Sequence, residues 1–364
     1  GHPHLTPLRY QHHPTGKGQA GPIGSHTFLS AEGEEIHEVA VGPVHAGIIE
    51  PGHFRFLCHG ESILHLEISL GYQHRGIEAN LRGCEFGLKS RRLTEVIAGD
   101  TSIGHCLAHC QAVEALADCE APPRAQVIRA IALELERLAN HTGDLGAMAG
   151  DIGYAPTASF CGRLRGDFLN LTAAMCGNRF GRGLVKPGGV AFDLDDALAA
   201  SIKQRLLTTF ADTKQAVALL WNTPSVLARF EETGVINRNQ AERLGLVGPT
   251  ARASGLEIDV RVDFPFGAYR DFPMPLSTWF TGDVFARAYV RWLEIQRSVR
   301  FVEDRLSELP GGPVYTSIQK PAENALTVSL VEGWRGEICH TVITDAKGRC
   351  AHYKVVDPSF HNWM

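Results

Sequence analysis

Residues 122–148 read PPRAQVIRAIALELERLANHTGDLGAM, and their spacing decides the fold class. Val127, Ile131, Leu135 and Leu138 recur at steps of three and four, and Leu145 returns seven residues later, giving the apolar stripe of an amphipathic helix. Pro123 suits the opening turn, where a missing N–H costs nothing. Working outward, helical spacing recurs over Gly104–Leu116, Gly162–Cys176, Asp195–Leu220, Arg238–Leu244 and Thr281–Leu309. The helices are interrupted at Pro187-Gly188-Gly189 and Phe264-Pro265-Phe266. A helical core over residues 76–309 is predicted.

On both sides of this core the period changes to two. From Glu38 to Ser69, Phe54, Phe56 and Cys58 alternate with Arg55 and Leu57, and a Gly60-Glu61 turn leads into Ile63, Leu64, Leu66 and Ile68. After Pro310-Gly311-Gly312-Pro313, Val328, Leu330, Ile338, Thr341, Ile343 and Tyr353 to Val356 predict further short strands, joined by Asp345-Ala346-Lys347-Gly348. The fold class is therefore α+β and mainly α, with small peripheral antiparallel sheets. Its organisation is an extended arm or linker over residues 1–40, then one domain over 41–364: β over 41–75, helical over 76–309, β-rich over 310–364. No basic stretch followed by an apolar run opens the chain, and the chain could be the downstream part of a longer protein.

Composition excludes several classes. The net charge of -5 gives no basic footprint for nucleic acid. No apolar run approaches the roughly 20 residues needed to span a bilayer. The nine cysteines form no CxxC pair, and an odd, irregular set reads as reduced thiols, most of them small core residues. Neither a GxGxxG nor a GxxxxGK[ST] motif is present, so no dinucleotide or ATP phosphate site is expected. In His105-Cys106-Leu107-Ala108-His109-Cys110, two histidines and two cysteines lie at helical spacing. With further ligands from elsewhere this cluster could hold zinc and support a zinc-dependent enzyme; otherwise its members are packing residues. Arg163 with Arg165, and Arg335 with Glu337, are either subunit-boundary ion pairs or solvated faces.

Four polar segments carry a resemblance. GPVHAGIIEPGHFRF (42–56), LGYQHRGIE (70–78), AGDTSIGH (98–105) and DPSFHNW (357–363), with PGGV (187–190) and the long helix itself, closely resemble the large subunit of membrane-bound, energy-converting NiFe-hydrogenases. That family is homologous to the complex I subunit that forms much of the quinone pocket. The resemblance spans about 41–364 and implies the large-subunit fold. It implies an iron–sulfur small subunit and membrane subunits as partners, with the cluster held in the partner and no cofactor in this chain. It places the chain peripherally on the cytoplasmic side of a membrane.

Hydrogen-making members of that family hold nickel and iron with two CxxC pairs. Here those positions are Ala98 and Thr101, and Ser359 and Asn362. A methyl cannot coordinate a metal, and neutral hydroxyl and amide oxygens are poor ligands for a soft centre. No nickel site is expected. The complex I tyrosine that meets the quinone falls near Gly99, so the phenol is missing, while its histidine corresponds to His45 or His53. Asp144 matches the aspartate that partners that histidine, and Arg75 the arginine of an HRG motif. By resemblance, His45 and Asp144 are the candidate quinone contacts. Glu50, His53, Arg75, Asp144 and His105 are a candidate proton relay or acceptor cavity. Glu50 takes the place of a proton-passing glutamate; alternatively Glu50 and Arg75 are a retained structural ion pair. The implied function is a subunit of a hydrogenase- or complex I-like NADH-quinone oxidoreductase, or else a catalytically silent scaffold in such a complex.

Overall fold

The computed structural model describes residues 29–43 and 51–363. They fall into two compact units, divided after Arg75.

In the first unit, β1 (Ile36–Val41), β2 (His53–His59) and β3 (Ser62–Ser69) form an antiparallel meander. Phe54 lies opposite Ile68, and Val39 opposite Phe56. Gly60, with φ +55°, makes the β2–β3 turn that L side chains avoid. The sheet begins at Ile36, inside the stretch expected to be an arm, because Ile36 pairs with His59 and Glu38 binds Arg55 across the strands.

The second unit is helical at its centre. After α1 (Ile77–Leu81) and α2 (Leu88–Thr94) come α3 (Ser102–Leu116), α4 (Pro123–Asp151) and α5 (Ala155–Cys176). Then follow the two-residue strands β4 (Val185–Lys186) and β5 (Gly189–Val190), and α6 (Asp196–Trp221). Short helices α7 (Pro224–Phe230), α8 (Arg238–Leu244), α9 (Gly248–Ala253) and α10 (Val260–Asp263) precede the long α11 (Val284–Ser307). The unit closes with β6 (Leu326–Gly333), β7 (Gly336–Thr344), β8 (Cys350–Val356) and a short α12 (Pro358–Asn362).

The central helix α4 is 29 residues long and opens with Pro123, as its sequence requires. It packs between α5 and α11, and Ile128, Ile131, Leu135, Leu138 and Leu145 are fully buried. Burying a side chain of that size contributes roughly 1.5–3 kcal/mol, so this stripe anchors the core. Two of its glycines are there for space: a Cβ on Gly143 would come 2.7 Å from Arg165 Cδ, and one on Gly146 2.7 Å from Cys161 Cβ. Other helices begin where cap chemistry allows. Asp195 accepts from Leu198 N, Asp283 accepts from Ala286 N, and Asn237 with Gln240 forms a capping box. The observed α5 starts seven residues before its apolar spacing became readable, with Pro156 in its first turn.

The β6-β7-β8 sheet is an antiparallel meander in which Leu330 faces Cys339 and Val342 faces Tyr353. It packs against α3 through β6 and β7. Its tight β6–β7 turn, Trp334-Arg335, ends at Gly336, whose φ of +132° and 2.8 Å approach of a notional Cβ to Gly248 N leave room for glycine alone. The tail is not wholly β: Asp357 caps a helical turn by accepting from Ser359 N.

Candidate proton-transfer site

The β6–β7 turn gathers the two ends of the motif set. Trp334 is buried, and its Nε1 donates to Thr101 Oγ1 at 3.1 Å; that hydroxyl donates in turn to Asp100 Oδ1 at 3.1 Å. The Arg335 guanidinium stacks on Trp334 at 3.8 Å and grips Asp100 with two bonds of 2.8 Å. From the other end, Asn362 Nδ2 donates to Arg335 O at 3.3 Å while its Oδ1 accepts from Val247 N at 3.1 Å. Ser359 N donates to Asp357. Thr101 and Asn362 thus spend their oxygens on protein donors, and Ala98 offers none. The four positions do not fit a nickel–iron centre.

Behind this turn, Glu136 of α4 caps the start of α3, accepting from Ile103 N at 2.7 Å and Gly104 N at 3.1 Å. Burial pushes this carboxyl up to about 8, against the pull of those two donors.

His105, fully buried on the first turn of α3, faces two partners. Its Nε2 meets Asp357 Oδ2 at 2.9 Å, and its Nδ1 meets His340 Nε2 at 3.1 Å, with the two rings stacked 5.4 Å apart. Burial works against ionisation of Asp357, but His105 and Ser359 outweigh it and hold the carboxyl well below the usual range. Beyond His340 the bonds continue: His340 Nδ1 to Tyr353 Oη at 2.8 Å, and Tyr353 Oη to His109 Nδ1 at 3.0 Å. Burial lowers His109 to about 4, and burial with its neighbours His105 and His109 drives His340 well down.

The remaining candidates divide. Asp144, on α4, binds Arg291 Nε at 2.8 Å, and its charge also reaches Arg335 together with those of Asp100 and Asp357. Asp144 and His105 therefore belong to one polar region. His53 and Arg75 lie in the other unit: His53 opens β2 opposite Ser69, and Arg75 donates to Gln73 Oε1 at 2.9 Å on an exposed surface. His45 and Glu50 lie outside the described residues. The His105–Cys110 cluster is split, since His105 and His109 face Asp357, His340 and Tyr353 while Cys106 Sγ points to Val185 O at 3.5 Å. Among the described residues no group of three or more His, Cys, Asp and Glu side chains is arranged to hold a metal ion. Arg163 pairs with exposed Asp167 and Asp212.

A larger buried charge cluster escaped the sequence reading. Glu134, Arg137 and His141 of α4 meet Arg252, Asp259, Arg261, Glu294 and Glu332 from α9, α10 and its cap, α11 and β6. Arg252 binds Glu294 at 2.5 Å and Glu332 at 2.9 Å; Arg137 donates to Glu134, Glu294 and two β6 carbonyls; His141 Nε2 meets Glu294 at 2.8 Å. Tyr269 and Ser298 donate to Glu134. Burial opposes ionisation of Glu294, yet Arg252, His141 and Arg137 keep it well below its ordinary value. Burial and Asp259 push Glu332 the other way, up to about 7. One clue was visible: Glu134, Arg137 and His141 follow one another at steps of three and four on an otherwise apolar face.

Taken together, the fold is a helical bundle closed by small sheets, and the site is a buried acid–base cluster where soft-metal ligands are missing. Residues 151–326 match the family model described as the 49 Kd subunit of respiratory-chain NADH dehydrogenase. The carbon monoxide-induced hydrogenase of Rhodospirillum rubrum is 31% identical over 332 residues, covering 90% of this chain and 91% of that protein. An NADH-quinone oxidoreductase subunit of Herpetosiphon aurantiacus is 32% identical over 342 residues, covering 90% of each. The membrane-bound hydrogenase subunit alpha of Pyrococcus furiosus is 30% identical over 345 residues, covering 89% of this chain and 80% of that one. The chain belongs to the family of the complex I 49 kDa subunit and its NiFe-hydrogenase-like relatives. Among its described residues no helix is long and apolar enough to cross a membrane.

Proposed function

We propose that this chain is a subunit of a membrane-associated oxidoreductase complex of the NADH-quinone oxidoreductase and hydrogenase type, and that it contributes proton transfer rather than a nickel–iron centre. Relatives across nearly its whole length carry names of subunits of such complexes. An iron–sulfur subunit and membrane subunits are its partners in this reading, and it sits peripherally on the cytoplasmic face. The observation that carries the proposal is His105, held between Asp357 and His340 beside positions that carry no thiol. A buried imidazole against a carboxylate is suited to accept and return protons as charge moves nearby. Arg335, with Asp100, Asp144 and Asp357 around it, supplies a fixed positive charge that steadies those carboxylates.

The test uses the complex purified from its native membrane. It should contain no nickel attributable to this chain and show no hydrogen uptake. His105→Gln should lower electron-transfer turnover by about a hundredfold or more, the usual contribution of one acid–base group, with subunit composition unchanged. Nickel near one equivalent, or full turnover in the variant, overturns the reading.

A second reading is a silent scaffold. The hydrogen bonds that tie Thr101 and Asn362 into the β6–β7 turn favour it, since they fill the former ligand positions with structure. The same variant separates the two, because a scaffold turns over normally without His105.

A further inference from the structure

We propose that His109, Tyr353, His340 and His105 form a buried proton relay that ends on the His105–Asp357 pair. This rests on the acid–base reading above and names the path by which protons reach that site.

The direction follows from counting hydrogens. Asp357 is an ionised carboxylate and can only accept, so His105 Nε2 carries a proton. With no excess proton on the chain, His105 Nδ1 is then bare and accepts from His340 Nε2–H. His340 Nδ1 is left bare in turn and accepts the Tyr353 hydroxyl proton. The Tyr353 oxygen, having donated, accepts from His109 Nδ1–H. One choice of tautomers satisfies all four contacts, and every donor points toward Asp357. What remains is His109 Nε2, a lone pair in a fully buried ring that has no hydrogen-bond partner among the described residues. Buried polar atoms are rarely left so. Here the unpaired atom stands at the end of the chain away from Asp357.

The transfer balances without any redox change. A proton binds His109 Nε2, and the His109 Nδ1–H bond breaks as its proton passes to the Tyr353 oxygen. The Tyr353 O–H proton passes to His340 Nδ1 and the His340 Nε2–H proton to His105 Nδ1, which leaves His105 protonated on both nitrogens beside the Asp357 carboxylate. One proton enters and one arrives, and its positive charge rests on His105 against the Asp357 carboxylate. The surroundings agree with passage rather than storage. His109 and His340 are both held against protonation, chiefly by burial, and burial also keeps the Tyr353 phenol neutral. Two thiols near Tyr353 add no charge: a hydrogen bond with Cys110 and burial raise Cys106, and burial raises Cys350 to about 11.

Two measurements test this. Nitrogen-15 histidine spectra of the intact chain at neutral pH should show Nε2–H tautomers for His105 and His340 and an Nδ1–H tautomer for His109, assigned by single substitutions. An Nδ1–H tautomer at His340 reverses one link and overturns the relay. In the native complex, Tyr353→Phe removes one hydroxyl and keeps the ring. Turnover should fall about tenfold or more, with a larger solvent deuterium isotope effect. A similar fall with an unchanged isotope effect marks a packing role and overturns the relay. If Tyr353→Phe is fully active while His105→Gln is not, the relay fails and the acid–base function stands; if both are fully active, both fail.

Discussion

Two buried polar systems lie within one unit, and they solve the problem of burial in opposite ways. The cluster around Glu294 sets the three guanidinium groups of Arg137, Arg252 and Arg261 against the four carboxylates of Glu134, Asp259, Glu294 and Glu332. The chain from His109 to His105 uses imidazole rings and a phenol, and it ends on the Asp357 carboxylate. In the first system cations and anions lock one another, and removing any of them strands a charge. In the second, each group can exchange donor for acceptor at little electrostatic cost. The difference separates a fastening from a conduit.

The comparison is easiest to break at Arg252. Arg252→Met should destabilise the chain by about 3–5 kcal/mol, as loss of one partner of a buried pair does, measured by denaturant unfolding. A loss below about 1 kcal/mol would mean that the cluster does not fasten the fold. Tyr353→Phe should cost less, about 1–3 kcal/mol, the penalty of leaving buried imidazole nitrogens without a partner.

Acid and base sharpen the contrast further. The folded-state value of Glu332 is raised from 4.5 to about 7, so its stabilisation is complete below about pH 4.5 and is lost as pH rises through about 7. For His109 the folded-state value falls from 6.5 to about 4, so its stabilisation is present above about pH 6.5 and is lost as pH falls through about 4. Glu332→Gln should flatten the neutral side of the stability profile, and His109→Gln the acid side. Parallel profiles in all three proteins would show that these groups do not titrate with unfolding. The smallest effect belongs to the surface: Arg163→Ala, with exposed partners Asp167 and Asp212, should leave the denaturant unfolding midpoint essentially where it is.

The helices were legible because their signals are local. Pro123, the apolar steps from Val127 to Leu145 and the Asn237 cap each act within one or two turns. Strand periods were legible for the same reason, although Ile36 disappeared into a polar stretch whose pairing partner lies 23 positions away. That Ala98, Thr101, Ser359 and Asn362, the positions the resemblance gives to the metal ligands, carry no thiol could be read from the sequence, since a residue type either can or cannot bind a soft metal. The partners of His105 could be read only in part, since the resemblance joins AGDTSIGH to DPSFHNW but says nothing of His340. His340 and Asp357 lie 235 and 252 positions along the chain, and no local signal marks His340 as its neighbour. Arg252, Glu294 and Glu332 were hidden likewise, each passing for an ordinary surface charge until the tertiary fold buried it.

That span between His105 and Asp357 also bears on how the molecule is put together. The first turn of α3 lies at the heart of the unit, yet Asp357, Ser359 and Asn362 that finish its surroundings come last of the described elements. Contacts so far apart along a chain form late, because a long loop must close before they return anything. During synthesis the bundle of α4 and α5 can therefore assemble early while its chemical centre stays open, and the centre is sealed only when the closing segment arrives.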